Sequence, residues 1–175
     1  DVQRRFFDSE PKAFEAEAVL ERINRLGRRA RAAGVPVIFV QHEQPNEGLL
    51  PDSDDWRLAA GLDVVADDFR VSKTTPDAFW GTDLKQILHS CGVGALVVCG
   101  YASEFCVDTT VRRAATLGYP VQLVADAHTT DDKAHATALQ IRDHHTATLI
   151  NMRSFGPRIR AVESGAIQFD AQGPL

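Results

Sequence analysis

Residues 96–120 read LVVCGYASEFCVDTTVRRAATLGYP. An apolar run ends at Gly100, Cys106 follows six residues later, and apolar residues then return at helical spacing. This order predicts a buried strand over 94–100 and a helix over 106–117 that begins at the cysteine.

The same order recurs along the rest of the chain. An amphipathic helix between Pro11 and Gly34 is predicted from the stripe formed by Val19, Ile23 and Leu26. Alternation of strands and helices favours right-handed βαβ units. We therefore expect one domain over 1–175, folded as a three-layer α/β/α sandwich with a central, mostly parallel open sheet. The other predicted strands cover 35–41, 69–72, 120–126 and 147–151, and the other helices cover 82–92 and 131–144.

Composition argues against several classes of protein. With 175 residues, of which 44% are hydrophobic, the chain can bury one core. Its net charge of −5 and its lack of a dense basic cluster argue against a nucleic-acid partner. No apolar run approaches the roughly 20 residues that cross a bilayer, so no membrane association is predicted. The three cysteines lack metal-ligand spacing, so we expect free thiols and a cytoplasmic location.

The longest stretch without periodicity covers residues 42–68. Loops of this length in compact domains are uncommon unless they are functional. We expect it to cover a site or an interface, although a simple surface excursion is also compatible with its composition.

Three side chains are candidates for chemistry. Cys106 begins a helix at the carboxyl edge of the sheet, where free backbone N–H groups favour a thiolate. Lys73 follows a predicted strand, and Asp1 would do the same if a strand precedes it. A carboxylate beside an ammonium can take the proton from a thiol. Taken singly, Asp1 and Lys73 are also compatible with turn or surface roles, whereas Cys91 and Cys99 lie in apolar patterns typical of buried residues.

At these positions the chain resembles the isochorismatase-like cysteine hydrolases, in their metal-free branch. The resemblance rests on four segments in order: DVQRRFF, KTTPDAFWGTDL, GYASEFCVDTT and LVADAHTTD. It implies a catalytic triad of Asp1, Lys73 and Cys106. It also implies a cis peptide bond between Tyr101 and Ala102, and an oxyanion hole formed by the N–H groups of Ala102 and Cys106. The implied reaction is hydrolysis of a C–N bond in a small amide or carbamoyl compound, through a thioester on Cys106.

The chain departs from the family pattern in two respects. It begins at the triad aspartate, so we expect the central first strand of the fold before Asp1. The metal-binding Asp-x-His of related nicotinamidases is absent. His42 with Asp52, Asp54 and Asp55 could hold a cation, but we predict no metal and no cofactor, and interpret His42 as a polar residue at a strand end.

The prediction of the substrate pocket rests on residues near the motifs, and the prediction of the assembly rests on the family resemblance. Aromatic residues near the motifs could form walls for a small planar or apolar acyl group. The family resemblance implies a homodimer or higher homo-oligomer. Two other functions remain open: vinyl-ether hydrolysis of isochorismate, and a non-catalytic binding role on the same fold. The candidate pocket residues are Phe6, Phe79, Trp80, Tyr101, Glu104 and Phe105.

Overall fold

Strands and helices alternate along the chain, as the sequence predicts. The computed structural model describes residues 1–169. Its helices are α1 (Arg4–Phe7), α2 (Ala16–Ala32), α3 (Leu84–Ser90), α4 (Asp108–Thr116) and α5 (Ala138–Asn151). Its strands are β1 (Ile38–His42), β2 (Phe69–Lys73), β3 (Leu96–Tyr101), β4 (Val121–Thr129) and β5 (Ile159–Val162).

All ladders between these strands are parallel. β1 pairs with β2, and β3, β4 and β5 form a second group in that order. Between β1 and β3 lies a cavity of about 270 Å³, lined mainly by apolar residues of both strands and of α2 and α3. The predicted strand before Asp1 stays a prediction, as does the single-domain assignment over 1–175.

The core lies on both faces of the sheet, which makes the fold a three-layer sandwich and confirms the predicted class. On one face, Val19 and Ile23 of α2 pack with Val124 and Ala127 of β4. On the other face, residues of α3, α4 and α5 pack around Leu123. Neighbouring β4 residues point to opposite faces, so a strand covered by helices on both sides must be apolar throughout.

One strand and one helix differ from the prediction. Residues 147–151, predicted as a strand, form the last turns of α5, and the strand that pairs with β4 lies at 159–162. The predicted helix over 131–144 begins instead after Thr137, whose side chain forms a capping box with Gln140. Leu149 is buried on the same helical face as Ile141. A short apolar run cannot by itself distinguish a strand from a buried helical face.

The carboxyl ends of the strands meet at one edge of the fold. His42 and Lys73 are register partners at the ends of β1 and β2, and Tyr101 pairs with Thr129 at the ends of β3 and β4. Ligands of open α/β sheets bind beyond this edge. Among the described residues, no helix has the length and hydropathy needed to traverse a lipid bilayer.

Candidate active site

Asp1, Lys73 and Cys106 converge at this edge. The Lys73 Nζ lies 3.0 Å from Asp1 Oδ2 and donates a hydrogen bond of 3.0 Å to Cys106 Sγ. The side chains of Lys73 and Asp1 are only 1% and 2% exposed. Burial lowers the pKa of Lys73 from its ordinary value, and the neighbouring Cys106 sulfur opposes that effect. The ammonium therefore lies between a carboxylate and a thiol in a site that excludes water.

The Asp1 carboxylate has an unusual environment. Its Oδ2 forms the ion pair with Lys73, but the contact lies outside hydrogen-bond geometry, so neither oxygen accepts a hydrogen bond from a described residue. Both oxygens therefore keep lone pairs that can accept a proton. This arrangement suits a group that must accept and return a proton during a reaction.

His42 is a member of the site that the sequence analysis did not identify. Its Nδ1 lies 3.1 Å from Lys73 Nζ, which also donates to the carbonyl oxygen of Thr75 at 3.1 Å. Burial, followed by the Lys73 charge, lowers the pKa of His42 to about 4. The imidazole is therefore neutral near pH 7, and its Nδ1 accepts from the ammonium. The sequence indicated a strand end, but the pairing with Lys73 follows from the β1–β2 register.

Gln3 connects the site to the long loop over 43–68. Its amide nitrogen donates to the carbonyl oxygens of His42 (3.0 Å) and Trp56 (2.9 Å), while its Oε1 accepts from the His42 N–H (2.8 Å). Gln41 donates a further bond of 3.0 Å to the Trp56 carbonyl. Gln3 is fully buried, so these contacts hold the loop beside the His42 end of β1. The loop therefore lies beside the candidate site, and its role as a cover over a site or an interface stays a prediction.

Cys106 lies on a single π-helical turn, Ser103–Val107, directly before α4. The peptide bond between Tyr101 and Ala102 is cis, at the position implied by the family resemblance. The Ala102 carbonyl accepts from the N–H groups of Phe105 and Val107, each at 3.1 Å. Turns of this type occur often at functional sites because they re-aim one side chain within a helix.

The backbone conformation directly before this segment requires a glycine. Gly100 has a φ of 115°, which residues with a Cβ rarely adopt. A Cβ at this position would also approach the Asp1 backbone nitrogen to 3.3 Å. The close approach brings the segment that carries Asp1 alongside the end of β3.

The six predicted pocket residues have different surroundings. Phe6 stacks on Tyr101 with a centroid distance of 4.2 Å, and the Tyr101 hydroxyl donates to Asp131 at 2.7 Å. Phe79 belongs instead to the hydrophobic core, where it stacks near Tyr119. Trp80 is 65% exposed. Glu104 and Phe105 line a groove of about 800 Å³ that α5 borders on its other side.

Of the other two cysteines, both predicted as buried apolar residues, Cys91 differs from the prediction. Cys99 lines the cavity between the strand groups, and burial raises the pKa of its thiol to about 11. Cys91, predicted as a buried apolar residue, is exposed at the end of α3. The apolar stripe of α3 ends at Leu88, so the next turn faces solvent.

Two of the three acidic residues considered as cation ligands have other partners. Asp54 pairs with Arg4 at 2.5 Å, and Asp55 pairs with Arg5 at 3.5 Å. Within residues 1–169, no group of three or more His, Cys, Asp and Glu side chains has an arrangement that could hold a metal ion. The absence of a metal requirement stays a prediction.

Sequence comparisons identify relatives over most of the chain. A family model described as the isochorismatase domain matches residues 1–154. A streptothricin hydrolase of Streptomyces noursei is 38% identical over 133 residues, which make up 75% of this chain and 48% of that protein. An uncharacterized isochorismatase family protein of Bacillus subtilis is 33% identical over 149 residues, or 82% of this chain and 78% of that protein.

A structural comparison gives the same result. The crystal structure of an isochorismatase family protein matches with a TM-score of 0.84 and 34% identity, over 93% of this chain and 94% of that one. The chain spans about half the length of the two streptothricin hydrolases that it matches, 48% and 53% respectively.

Proposed function

The chain belongs to the isochorismatase family of hydrolases, and from this premise we propose that it hydrolyses a C–N bond of a small amide or carbamoyl compound through a thioester on Cys106. The observation that carries the proposal is the position of the Lys73 ammonium, 3.0 Å from both the Asp1 carboxylate and the Cys106 sulfur. A nucleophile, a base and an orienting charge within reach of one another are the minimum set for covalent catalysis.

Acylation begins with proton transfer from the Cys106 thiol to the Asp1 carboxylate. The sulfur then forms a bond to the substrate carbonyl carbon, and the negative charge moves to the carbonyl oxygen. The backbone N–H groups of Ala102 and Cys106 stabilise this oxyanion; elsewhere, loss of one such donor costs about 3–4 kcal/mol. Collapse of the intermediate breaks the C–N bond as Asp1 gives its proton to the leaving nitrogen.

Deacylation reverses these roles. Asp1 accepts a proton from water, and the resulting hydroxide attacks the thioester carbon. The C–S bond breaks, the carboxylic acid leaves, and Cys106 recovers its proton from Asp1. Each proton taken by Asp1 is returned, so one water is consumed and one amine or ammonia is released per turnover.

Lys73 stabilises the charges that develop on both partners. Its Nζ makes three hydrogen bonds, with Cys106 Sγ, His42 Nδ1 and the Thr75 carbonyl, and it forms an ion pair with Asp1 Oδ2. His42 and Thr75 are neutral acceptors that do not change during the reaction, so they hold the ammonium in place. The third hydrogen bond goes to the sulfur, and the ammonium charge lies 3.0 Å from the carboxylate, so both groups whose charge changes are beside it.

A screen for ammonia release from primary amides and N-carbamoyl compounds tests the proposal. The parent protein and a Cys91→Ala control, altered at an exposed thiol, should both turn over at least one compound, whereas Cys106→Ala should not. Intact-mass measurement during turnover should detect an acyl adduct on Cys106. Pyruvate release from isochorismate by a fully active Cys106→Ser variant would support vinyl-ether hydrolysis instead. Failure to turn over either substrate class would favour the binding role.

A further inference from the structure

The π-turn that carries Cys106 is held from one side by the end of β4. The Ser103 hydroxyl lies 2.8 Å from His128 Nδ1, and the Thr130 hydroxyl donates to Glu104 Oε1 at 2.8 Å. Ser103, His128 and Thr130 are fully buried. Two consecutive residues of the turn are therefore held by His128 near the end of β4 and by Thr130 directly after the strand.

The direction of the hydrogen bonds at His128 can be deduced from its other contact. Thr146 of α5 lies 2.9 Å from His128 Nε2, and its hydroxyl donates to the Arg142 carbonyl at 2.8 Å. A hydroxyl has one proton, so Thr146 accepts from Nε2, which must carry the imidazole proton. His128 Nδ1 is then an acceptor, and the Ser103 hydroxyl donates to it.

The charged groups around His128 have other partners. Arg142 pairs with Glu15 at 2.9 Å, His145 contacts Asp108 at 3.0 Å, and Asp126 accepts from Ser164 at 2.7 Å. Both hydrogen-bond partners of the imidazole are hydroxyls. Burial, followed by the Arg142 charge, lowers the pKa of His128 to about 4, so the ring is neutral near pH 7.

We infer that His128 is a positioning residue, which acts through the Ser103 hydroxyl to hold the π-turn so that Cys106 faces Lys73. This inference deepens the proposed function and rests on it. Within the turn, the N–H groups of Phe105 and Val107 share the Ala102 carbonyl as acceptor, so contacts from outside the turn contribute to fixing its geometry. Small displacements of a reacting atom can lower a rate about 100-fold.

The first test compares Ser103→Ala with the parent protein. The variant removes the hydroxyl while the side chain stays small. We expect kcat to fall about 10- to 100-fold and KM to change less, because the turn carries the reacting sulfur whereas the candidate pocket residues Phe6 and Tyr101 lie outside it. The rate of Cys106 alkylation by iodoacetamide should fall in parallel, and this rate requires no substrate. A folded Ser103→Ala that is alkylated and turns over at parent rates would overturn the inference.

The second test removes the hydrogen bond at the other ring nitrogen of His128, Nε2. Thr146→Val keeps the volume and removes the acceptor for Nε2–H, so it should lower the same two rates by a smaller factor. Thr146→Ser, which keeps a hydroxyl, should restore them. Thr148→Val makes the same change two residues along α5 and should leave both rates at the parent level. Equal rates in Thr146→Val and Thr148→Val would contradict the inference, even if Ser103→Ala does not fold.

A spectroscopic test reports the tautomer directly. In ¹⁵N-labelled parent protein, His128 should show a protonated Nε2 and an unprotonated Nδ1 at pH 7. The opposite tautomer would overturn the inference. If no amide is hydrolysed by the parent protein, the proposed function fails, while alkylation rates and the tautomer still decide the role of His128.

Discussion

His42 and Lys73 are register partners at the ends of neighbouring parallel strands, and the His42 Nδ1 lies 3.1 Å from the Lys73 Nζ. A neutral imidazole thus accepts from the ammonium that also contacts the proposed base and nucleophile. Parallel pairing places these side chains on the same side of the sheet, so the contact is a direct consequence of the strand register.

His42→Ala removes this acceptor and should lower kcat. Hydrogen bonds to charged groups contribute about 1.5–3 kcal/mol, so we expect a decrease of about 10- to 100-fold with a smaller change in KM. His42→Asn can present an amide oxygen near the Nδ1 position and should recover part of the rate. Steady-state kinetics of the three proteins check this. Equal rates in His42→Ala and the parent would mean that Lys73 is held without the imidazole.

Asp1→Asn and Lys73→Ala should differ in their response to pH. Asn cannot accept the thiol proton, so Asp1→Asn should lose about 10²–10⁴ in rate at every pH. Lys73→Ala leaves a carboxylate without its cation, which favours the protonated form of Asp1 and should move the activity optimum to higher pH. Rates between about pH 6 and pH 10, a range that includes the ordinary cysteine pKa, distinguish the two variants. Parent-level turnover by Asp1→Asn would require another base for Cys106.

The three thiols should differ in alkylation at mildly acidic pH. Cys106 has an ammonium hydrogen bond, Cys91 is exposed without one, and burial raises the pKa of Cys99 to about 11. Because the thiolate is the nucleophile, Cys106 should react first at about pH 6 and Cys99 last. Peptide mass mapping after timed quenching checks the order, with Cys91 as the internal reference for an accessible thiol. Preferential labelling of Cys91 would contradict the proposed role of Lys73.

Stability should fall as the pH is lowered from about 6.5 to about 4. In this range an unfolded histidine binds a proton, whereas His128 and His42, with pKa values of about 4, stay neutral in the folded protein. The unfolded state then binds more protons, so the free energy of unfolding decreases with falling pH. For the more deeply buried His128, the displacement from 6.5 corresponds to on the order of 3 kcal/mol.

Urea unfolding at pH 7, 5.5 and 4.5 measures this dependence. The parent and His144→Gln, a control at an exposed ring on α5, should lose stability in parallel. His128→Asn should start less stable but decline less, because one of the two imidazoles with a lowered pKa is gone. An NMR titration in which His128 protonates near pH 6.5 would refute the assignment without any variant.

The fold class could be predicted because its determinants are local. β3 and β4 are short apolar runs, and α2 shows a stripe at 3.6-residue spacing formed by Val19, Ile23 and Leu26. The same local logic failed for residues 147–151, which form the end of α5 and of which only Leu149 is buried. The length of this segment was compatible with either structure, and the capping box at Thr137 was the sequence feature that could have decided it.

The sequence by itself determined that Asp1, Lys73 and Cys106 flank the motifs of one known family, and that Lys73 and Cys106 follow strands whose ends share an edge. Only the tertiary structure decided that Lys73 lies between the other two, that His42 accepts from it, and that His128 reaches Ser103. These contacts join residues at least 25 positions apart, as between Ser103 and His128. They depend on strand register and on the path of the turn, and periodicity specifies neither. The spacing of apolar residues predicts which side of a strand or helix a side chain faces, but it does not predict which residue of another element that side chain contacts.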